Sequence, residues 1–197
     1  YGNQEYVVNW QNDGEEIKNN YDAKGKLRSR PQNTNYFFRE GIEYSLFGFE
    51  NISVRYKPFG FIFDVSGASI FPDNDLEIIL AFLCSNVAFY YLKALAPTVN
   101  FQVGDLARLP LPALATHEKI QIKELARENI TLCRYDWDRQ ETSWDFSSNR
   151  LVANKVTGDR NNFQQVCGIV INQTISNRES LKENEQNINR ILIGAYS

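Results

Sequence analysis

The chain contains no methionine among its 197 residues, and the first residue is Tyr1. Because a nascent chain begins with methionine, we expect this sequence to be a piece of a longer protein. The first twenty residues are polar and lack the apolar stretch of a secretory signal peptide. Removal of a signal peptide therefore does not account for the missing methionine.

Residues that commonly carry chemistry are also scarce. His117 is the only histidine, and the three cysteines (Cys84, Cys133 and Cys167) lack metal-ligand spacing. A Ser–His–Asp or Cys–His catalytic set would need His117, which lies in a polar segment. No phosphate-binding P-loop and no glycine-rich dinucleotide motif occurs. We therefore predict no catalytic residue and no metal site, and we expect reduced thiols in a cytoplasmic protein.

No hydrophobic run is long enough to predict a membrane span. The most apolar segment, 76–96, is uncharged only from Ile78 to Leu92. A membrane-spanning helix needs about 18–20 apolar residues. We predict instead a helix buried in a soluble domain, with a possible break at Ser85-Asn86.

Charge is distributed unevenly along the chain. The net charge is −3 and the isoelectric point is about 5.3, which argues against a bulk basic protein that coats nucleic acid. The densest basic cluster has four cations in seven residues: Lys24, Lys26, Arg28 and Arg30. Two interpretations stay open, namely a solvated loop and a loop whose cations follow DNA phosphates.

The order of sequence patterns predicts an α/β (α+β) fold. Aromatic and β-branched residues in short runs, separated by glycine and proline, predict strands near 43–47, 53–57, 61–64 and 68–71. Helical patterns cover about 115–135 and 162–195. We therefore expect a small mixed sheet with packed helices, followed by a mostly helical C-terminal region.

Basic and aromatic residues alternate within the predicted strands. In a strand, successive side chains point to opposite faces, so Arg55 and Lys57 would share a face with Tyr56 buried opposite. Arg39 follows the aromatic run 36–38. Such a face suits contact with a DNA groove.

Several blocks together resemble a known family. The segments YFFREGIEYSLF (36–47), SVRYKPFGFIFDVSGASIFP (53–72) and APTVNFQVGDLARLPLP (96–112) resemble the target-recognition region of adenine-specific DNA methyltransferases. The closest likeness is to the BREX-type (PglX-like) enzymes of phage defence, and fused type II restriction–modification enzymes are related. The LPLP segment before a helix also resembles the recognition domains of type I specificity subunits.

The resemblance implies a target-recognition module over 1–112 and a helical spacer or docking region over 113–197. The implied partners are double-stranded DNA and the catalytic methyltransferase domain of the same parent chain, with no membrane. The candidate DNA contacts are the basic cluster and the residues of the strand region: Lys24, Lys26, Arg28, Arg30, Arg39, Ser45, Arg55 and Lys57.

The family's catalytic signature is missing from this chain. The catalytic part of these enzymes carries an S-adenosylmethionine site and an Asn/Asp-Pro-Pro-Tyr/Phe motif, whereas no Pro-Pro occurs here. The resemblance therefore implies S-adenosylmethionine as the cofactor of the parent enzyme and no cofactor in this segment. Residues expected to support the fold rather than touch DNA are Gly41, Gly60, Gly67, Phe61, Phe63, Asn100 and Phe101.

A second function class stays open at this point. The chain could be a protein-interaction module of a defence complex that makes no direct DNA contact. Its net acidity and the apolar potential of helices 115–135 and 173–195 favour this alternative. A continuous positive surface over residues 24–57 would favour DNA recognition instead.

Overall fold

The computed structural model describes residues 1–48, 52–96, 98, 100–154 and 163–196. In these ranges three short strands precede most of the helices, and a 3-10 turn at Thr34–Tyr36 leads into the first strand. The strands are β1 (Gly41–Ser45), β2 (Val54–Lys57) and β3 (Gly67–Ile70). The helices are α1 (Gln11–Lys18), α2 (Leu76–Leu83), α3 (Asn86–Leu95), α4 (Val103–Ala107), α5 (Thr116–Trp137), α6 (Arg150–Ala153) and α7 (Phe163–Gly194).

The sheet has the order β2-β1-β3, and both pairings are antiparallel. The α+β class and the helical C-terminal region predicted from the sequence are confirmed, although the described sheet is antiparallel rather than mixed. Glu43 lies opposite Arg55 on one side and opposite Ser69 on the other. Gly41 permits the close approach of β1 to β3, because a Cβ atom at position 41 would lie 2.7 Å from the carbonyl oxygen of Ile70.

The strand predicted at 61–64 does not form. The chain turns back at Gly60, whose φ of +94° favours glycine. The Gly60 N–H donates to the Phe38 carbonyl, and the Phe38 N–H donates to the Phe61 carbonyl, both at 3.0 Å. These two bonds hold the segment after β2 against residue 38 and outside the sheet.

The apolar segment after β3 forms two helices, α2 and α3, that meet at an angle of 66°. Ser85 lies at the break predicted from the sequence. Its hydroxyl donates to the Phe82 carbonyl at 2.6 Å and accepts from the Ala88 N–H at 3.2 Å, so it ends α2 and caps α3. Among the described residues, no single helix is long and apolar enough to span a membrane.

One hydrophobic core joins the sheet to the later helices. Ile42 of β1 is fully buried, and the same core contains Leu92 of α3, Ile122 of α5 and Leu192 of α7. The predicted module 1–112 and the predicted helical region 113–197 therefore share their buried surface. Whether they act as separate functional units stays a prediction.

The shared core predicts that a cavity in α5 destabilises the whole chain. Ile122→Ala should lower the free energy of unfolding by about 2–5 kcal/mol, because a fully buried side chain leaves a cavity. The exposed neighbour supplies the control: Ile120 is 54% exposed, and Ile120→Ala should change stability by no more than about 0.5 kcal/mol. Denaturant titration followed by tryptophan fluorescence and circular dichroism measures both. Two separate unfolding transitions would contradict the shared core.

Candidate nucleic-acid interface

The basic cluster lies on a small hairpin-like loop, which we call the basic loop (residues 20–30). Tyr21 and Leu27 form an isolated antiparallel bridge. The Asp22 N–H donates to the Lys26 carbonyl at 2.8 Å, and the Arg28 N–H donates to the Asn20 carbonyl at 2.7 Å. The loop is therefore closed by its own backbone.

One carboxylate shapes the tip of the basic loop. Oδ1 of Asp22 accepts from the backbone N–H groups of Lys24 and Lys26, at 2.9 and 2.8 Å. Gly25 has a φ of +74°, and its N–H donates to the Asp22 carbonyl at 3.0 Å. The side chains of Lys24, Lys26 and Arg28 are exposed and form no ion pair within the described ranges. Their positive charge faces solvent, as a phosphate contact requires.

Arg30 links the basic loop to a cleft of about 850 Å³, which we call the Arg30 cleft. The cleft lies between the basic loop, the sheet and the N-terminal end of α4. Arg30 is exposed and, among the described residues, forms no ion pair.

Arg39 lies on an aromatic cluster. Its guanidinium carbon is 5.1 Å from the ring centre of Tyr36 and 6.0 Å from that of Phe71. A second cleft, of about 670 Å³, contains Arg39 together with several acidic side chains. The acidic residues that line it are Glu40, Asp73, Asp75 and Glu77. Arg39 therefore lies in mixed rather than positive surroundings.

Lys57 is buried, with only 1% of its surface exposed. Its ammonium donates to the carbonyl of Arg39 and to that of Phe61, the second at 3.2 Å, and lies 5.2 Å from the ring centre of Phe71. Burial lowers the pKa of Lys57, and the nearby charge of Glu43 opposes that change. These contacts give Lys57 a structural role at the end of β2, and its ammonium is not at the surface where DNA would meet it.

Arg55 and Ser45 are both half-buried in the sheet. Burial raises the pKa of the Glu43 carboxyl opposite Arg55, while the charges of Arg55 and Lys57 act against the shift. Arg55 also lines a small cleft of about 170 Å³ between β2, α2, α5 and α7. Ser45 ends β1, and its backbone N–H donates to the Ser53 carbonyl at 2.9 Å.

Comparison with known proteins gives a consistent answer. No protein-family model matches the chain. Over 200 aligned residues the chain is 38% identical to the adenine-specific methyltransferase PglX of Lacticaseibacillus casei (strain Zhang). The alignment covers 100% of this chain. This chain is homologous to a region of the PglX-like adenine-specific methyltransferases. The resemblance predicted from the sequence is confirmed.

A second relative supports the same conclusion. The adenine-specific methyltransferase BrxX of Escherichia coli O9:H4 (strain HS) is 35% identical over 159 residues, which is 79% of this chain. The chain spans 16% of the length of PglX and 12% of the length of BrxX. The similarity therefore concerns one region of much longer proteins.

The candidate contacts of this PglX-like region do not lie on one surface. Arg30, Arg39 and Arg55 line three different clefts. The continuous basic set is the basic loop with Arg30, and the other candidates lie elsewhere or, for Lys57, inside the protein. The DNA contacts themselves stay predictions.

No sequence pattern marks two polar residues that line the Arg30 cleft in the folded chain, Tyr44 and Ser69. They come from different strands, and nothing in their spacing marks them. No group of three or more His, Cys, Asp or Glu residues placed to hold a metal ion is found among the described residues.

The structural role of Lys57 can be tested by stability. Lys57→Ala should lower the free energy of unfolding by about 1–3 kcal/mol or more, because the carbonyls of Arg39 and Phe61 lose their charged donor. Lys24→Ala is the control, and its stability should match that of the wild type within about 0.5 kcal/mol because Lys24 is exposed. Thermal and denaturant unfolding measure both variants. A Lys57→Ala protein of wild-type stability would argue against this role.

Proposed function

We propose that this chain is the target-recognition region of a bacterial adenine N6 DNA methyltransferase of BREX phage defence or restriction–modification. In this proposal it binds duplex DNA in the cytoplasm and sets the methylated sequence. The target adenine then flips into a separate catalytic domain of the parent protein. That domain, outside this chain, would bind S-adenosylmethionine.

The proposal depends mainly on one observation: the chain is similar to a methyltransferase over its whole length but lacks the Pro-Pro motif of the catalytic part. The chain is 38% identical over its length to a methyltransferase, yet it contains no Pro-Pro and only one histidine. A region that is shared with such enzymes but lacks their catalytic motif fits a role in recognising or positioning the substrate. The α+β module with exposed basic residues fits recognition of DNA.

The basic loop supports phosphate contact on electrostatic grounds. Its lysines and arginines are exposed and form no ion pair in the described ranges, so no carboxylate of the described chain neutralises them. Cations that neutralise phosphates release counterions, and this release supplies sequence-independent affinity. The net charge of −3 does not oppose this role, because binding depends on the local charge of the contacting surface.

Charge reversal in the basic loop tests this role. Arg28→Glu with Arg30→Glu in the full-length protein should weaken binding to every DNA sequence. If each arginine contacts one phosphate, the negative slope of log affinity against log salt concentration should become shallower by about 2. Fluorescence anisotropy over a series of salt concentrations measures both quantities.

The matched control makes the same charge change on another surface. Arg178 and Lys182 are exposed on α7, and within the described ranges neither forms an ion pair. Arg178→Glu with Lys182→Glu should therefore leave DNA binding close to the wild type. Unchanged binding at low salt by the basic-loop variant would contradict phosphate contact there.

Arg55 is the candidate for base recognition. Arg55→Ala in the full-length enzyme should change the methylated sequence or abolish methylation, while S-adenosylmethionine binding is retained. Methylation mapping of genomic DNA from cells that carry each enzyme measures the outcome, and circular dichroism checks the fold. An unchanged methylation pattern would remove Arg55 from base recognition, and an unfolded variant would show that Arg55 acts on the fold.

A second candidate is a protein-interaction module without direct DNA contact. The N-terminal half of α7 favours it, because Phe163, Ile171 and Ile175 are 71%, 56% and 48% exposed. Exposed apolar side chains at helical spacing are typical of surfaces that pack against another protein. Unchanged DNA binding by the basic-loop variant, together with lost methylation when Ile171 and Ile175 are changed to Asp, would favour this candidate.

A further inference from the structure

The outer edge of β3 pairs with no other strand in the described sheet. The order β2-β1-β3 places β2 and β3 at the two edges. At the β2 edge, the carbonyl of Val54 accepts from the Cys84 thiol at 3.9 Å, so the end of α2 lies against that strand. An uncovered edge presents backbone donors and acceptors that can pair with another chain. The edge of β3 is therefore the one to analyse for a binding role.

The register of the sheet shows which backbone groups of β3 face outward. The Leu46 N–H donates to the Ser66 carbonyl at 3.1 Å, just before β3 begins. Since bonded and non-bonded pairs alternate in an antiparallel sheet, Gly67 and Ser69 turn their backbone N–H and C=O groups away from β1. The Gly67 N–H donates to Oδ1 of Asp64 at 3.0 Å. The Ser69 N–H and the carbonyls of Gly67 and Ser69 make no hydrogen bond among the described residues.

Two clefts border this edge. One is the Arg30 cleft, and the other, of about 260 Å³, lies between β3, α2 and α4. Tyr44, Ser69 and Val103 line both of them, so the two clefts adjoin at the edge of β3. We call the two clefts together the edge groove.

The smaller cleft of the edge groove is apolar. Val103 and Leu111, which line it, are 69% and 52% exposed. Covering such side chains removes apolar surface from water, which favours association with another chain. The smaller cleft therefore suits one apolar side chain of a bound segment. Its remaining apolar lining is Ile70, Ile79, Phe82, Leu83, Leu106 and Leu109.

The Arg30 cleft supplies the charged end of the edge groove. Arg30 is exposed and forms no ion pair among the described residues. The acid in the same lining, Asp64, accepts at Oδ1 from the N–H groups of Ser66 and Gly67, at 2.9 and 3.0 Å. A carboxylate of a bound segment would therefore meet a cation that no described acid neutralises.

The walls of the edge groove favour a single extended segment over a second copy of this chain. Residues 29–33 and 62–65 line the Arg30 cleft, and Val103 and Gly104 of α4 line it as well. Ser69 is half-buried among these segments. A second copy would have to bring its own flanking segments into the same space, whereas a lone extended segment has none.

We propose that the edge groove binds an extended segment of a partner protein, which adds to the three-stranded sheet beside β3. The backbone of the segment pairs with the outward N–H and C=O groups of Ser69 and with the carbonyl of Gly67. An apolar side chain of the segment enters the smaller cleft, and an acidic side chain lies at Arg30. The proposal goes beyond the proposed function and does not depend on DNA binding.

The test uses fluorescein-labelled synthetic peptides and the full-length protein. Each peptide is about six residues long, the usual length of a strand, and alternates valine with threonine. Leucine stands near one end and glutamate near the other, and the reversed sequence supplies the second strand direction. Fluorescence anisotropy should show binding of one of the two peptides. Alanine in place of the leucine should weaken that binding roughly tenfold, because less apolar surface is buried.

Backbone methylation of the peptide tests strand addition without changing the protein. Alternate N–H groups of a strand point to the same side, so only one set of them can pair with β3. Two peptides carry N-methyl groups on the even and on the odd residues. One should lose binding and the other should keep it. Equal loss or equal retention by the two peptides would overturn strand addition.

Two pairs of protein variants locate the binding site. Val103→Asp places a charge where the two clefts adjoin and should weaken peptide binding about tenfold or more. Val152→Asp is the control, since Val152 is 65% exposed on α6 and lines neither cleft. Circular dichroism checks the fold of both variants.

Arg30→Glu tests the charged end of the edge groove. It should weaken binding of the glutamate peptide by roughly two- to tenfold and strengthen binding of the same peptide with lysine in that place. Arg178→Glu makes the same charge change on α7, outside both clefts, and should leave both peptides unaffected. A change of the same size in the two variants would overturn the assignment of the acidic side chain to Arg30.

The outcomes distinguish this proposal from the proposed function. If the full-length protein binds duplex DNA but neither peptide direction, the edge-groove proposal is overturned and the proposed function stands. If it binds a peptide in a manner that depends on Val103 but does not bind DNA, the edge-groove proposal stands and the proposed function fails. Peptide binding that Val103→Asp and Val152→Asp affect equally also overturns the edge-groove proposal.

Discussion

The burial of the central strand is the constraint on which the rest of the structure depends. β1 pairs with both other strands, and Ile42 and Tyr44 are at most 1% exposed. Since side chains alternate along a strand, burial of these two places Glu43 on the opposite face, in line with Arg55 and Ser69. The same constraint carries the Tyr44 hydroxyl into the interior, where it has no hydrogen-bond partner among the described residues. Burial of one face of β1 therefore accounts both for the position of Glu43 beside Arg55 and for the buried hydroxyl of Tyr44.

Lys57 and the cations of the basic loop differ in what holds them. Lys57 is fixed by backbone carbonyls and an aromatic ring, so its charge stabilises the junction between β2 and the segment around Arg39. The cations of the basic loop are supported by a backbone that Asp22 shapes, and their side chains form no ion pair within the described ranges. A charge that the fold already uses is unavailable for a ligand, whereas an unengaged one is available at little structural cost.

Local sequence signals predicted the positions of helices and strands well. They predicted poorly which side chains are buried and which residues contact them. The break at Ser85 was predictable because serine caps a helix with its own side chain. The alternation in β2 correctly places Arg55 and Lys57 on one face, but the burial of Lys57 depends on Phe71 and on the carbonyl of Phe61. Likewise, Arg39 meets acidic residues more than thirty positions later in the chain. Such covering contacts come from distant segments, which no periodicity reveals.

The core that β1 shares with α5 and α7 constrains how this region can be exchanged between relatives. A segment that ended at residue 112 would expose the apolar side chains of the sheet and α2 that now pack on Ile122, Ile188 and Leu192. A chimaera that exchanges this region between relatives must therefore carry both long helices with it. Substitutions in the basic loop are free of that requirement, since the loop closes on itself. Recombination would thus transfer the region whole, while point mutation would adjust its charge.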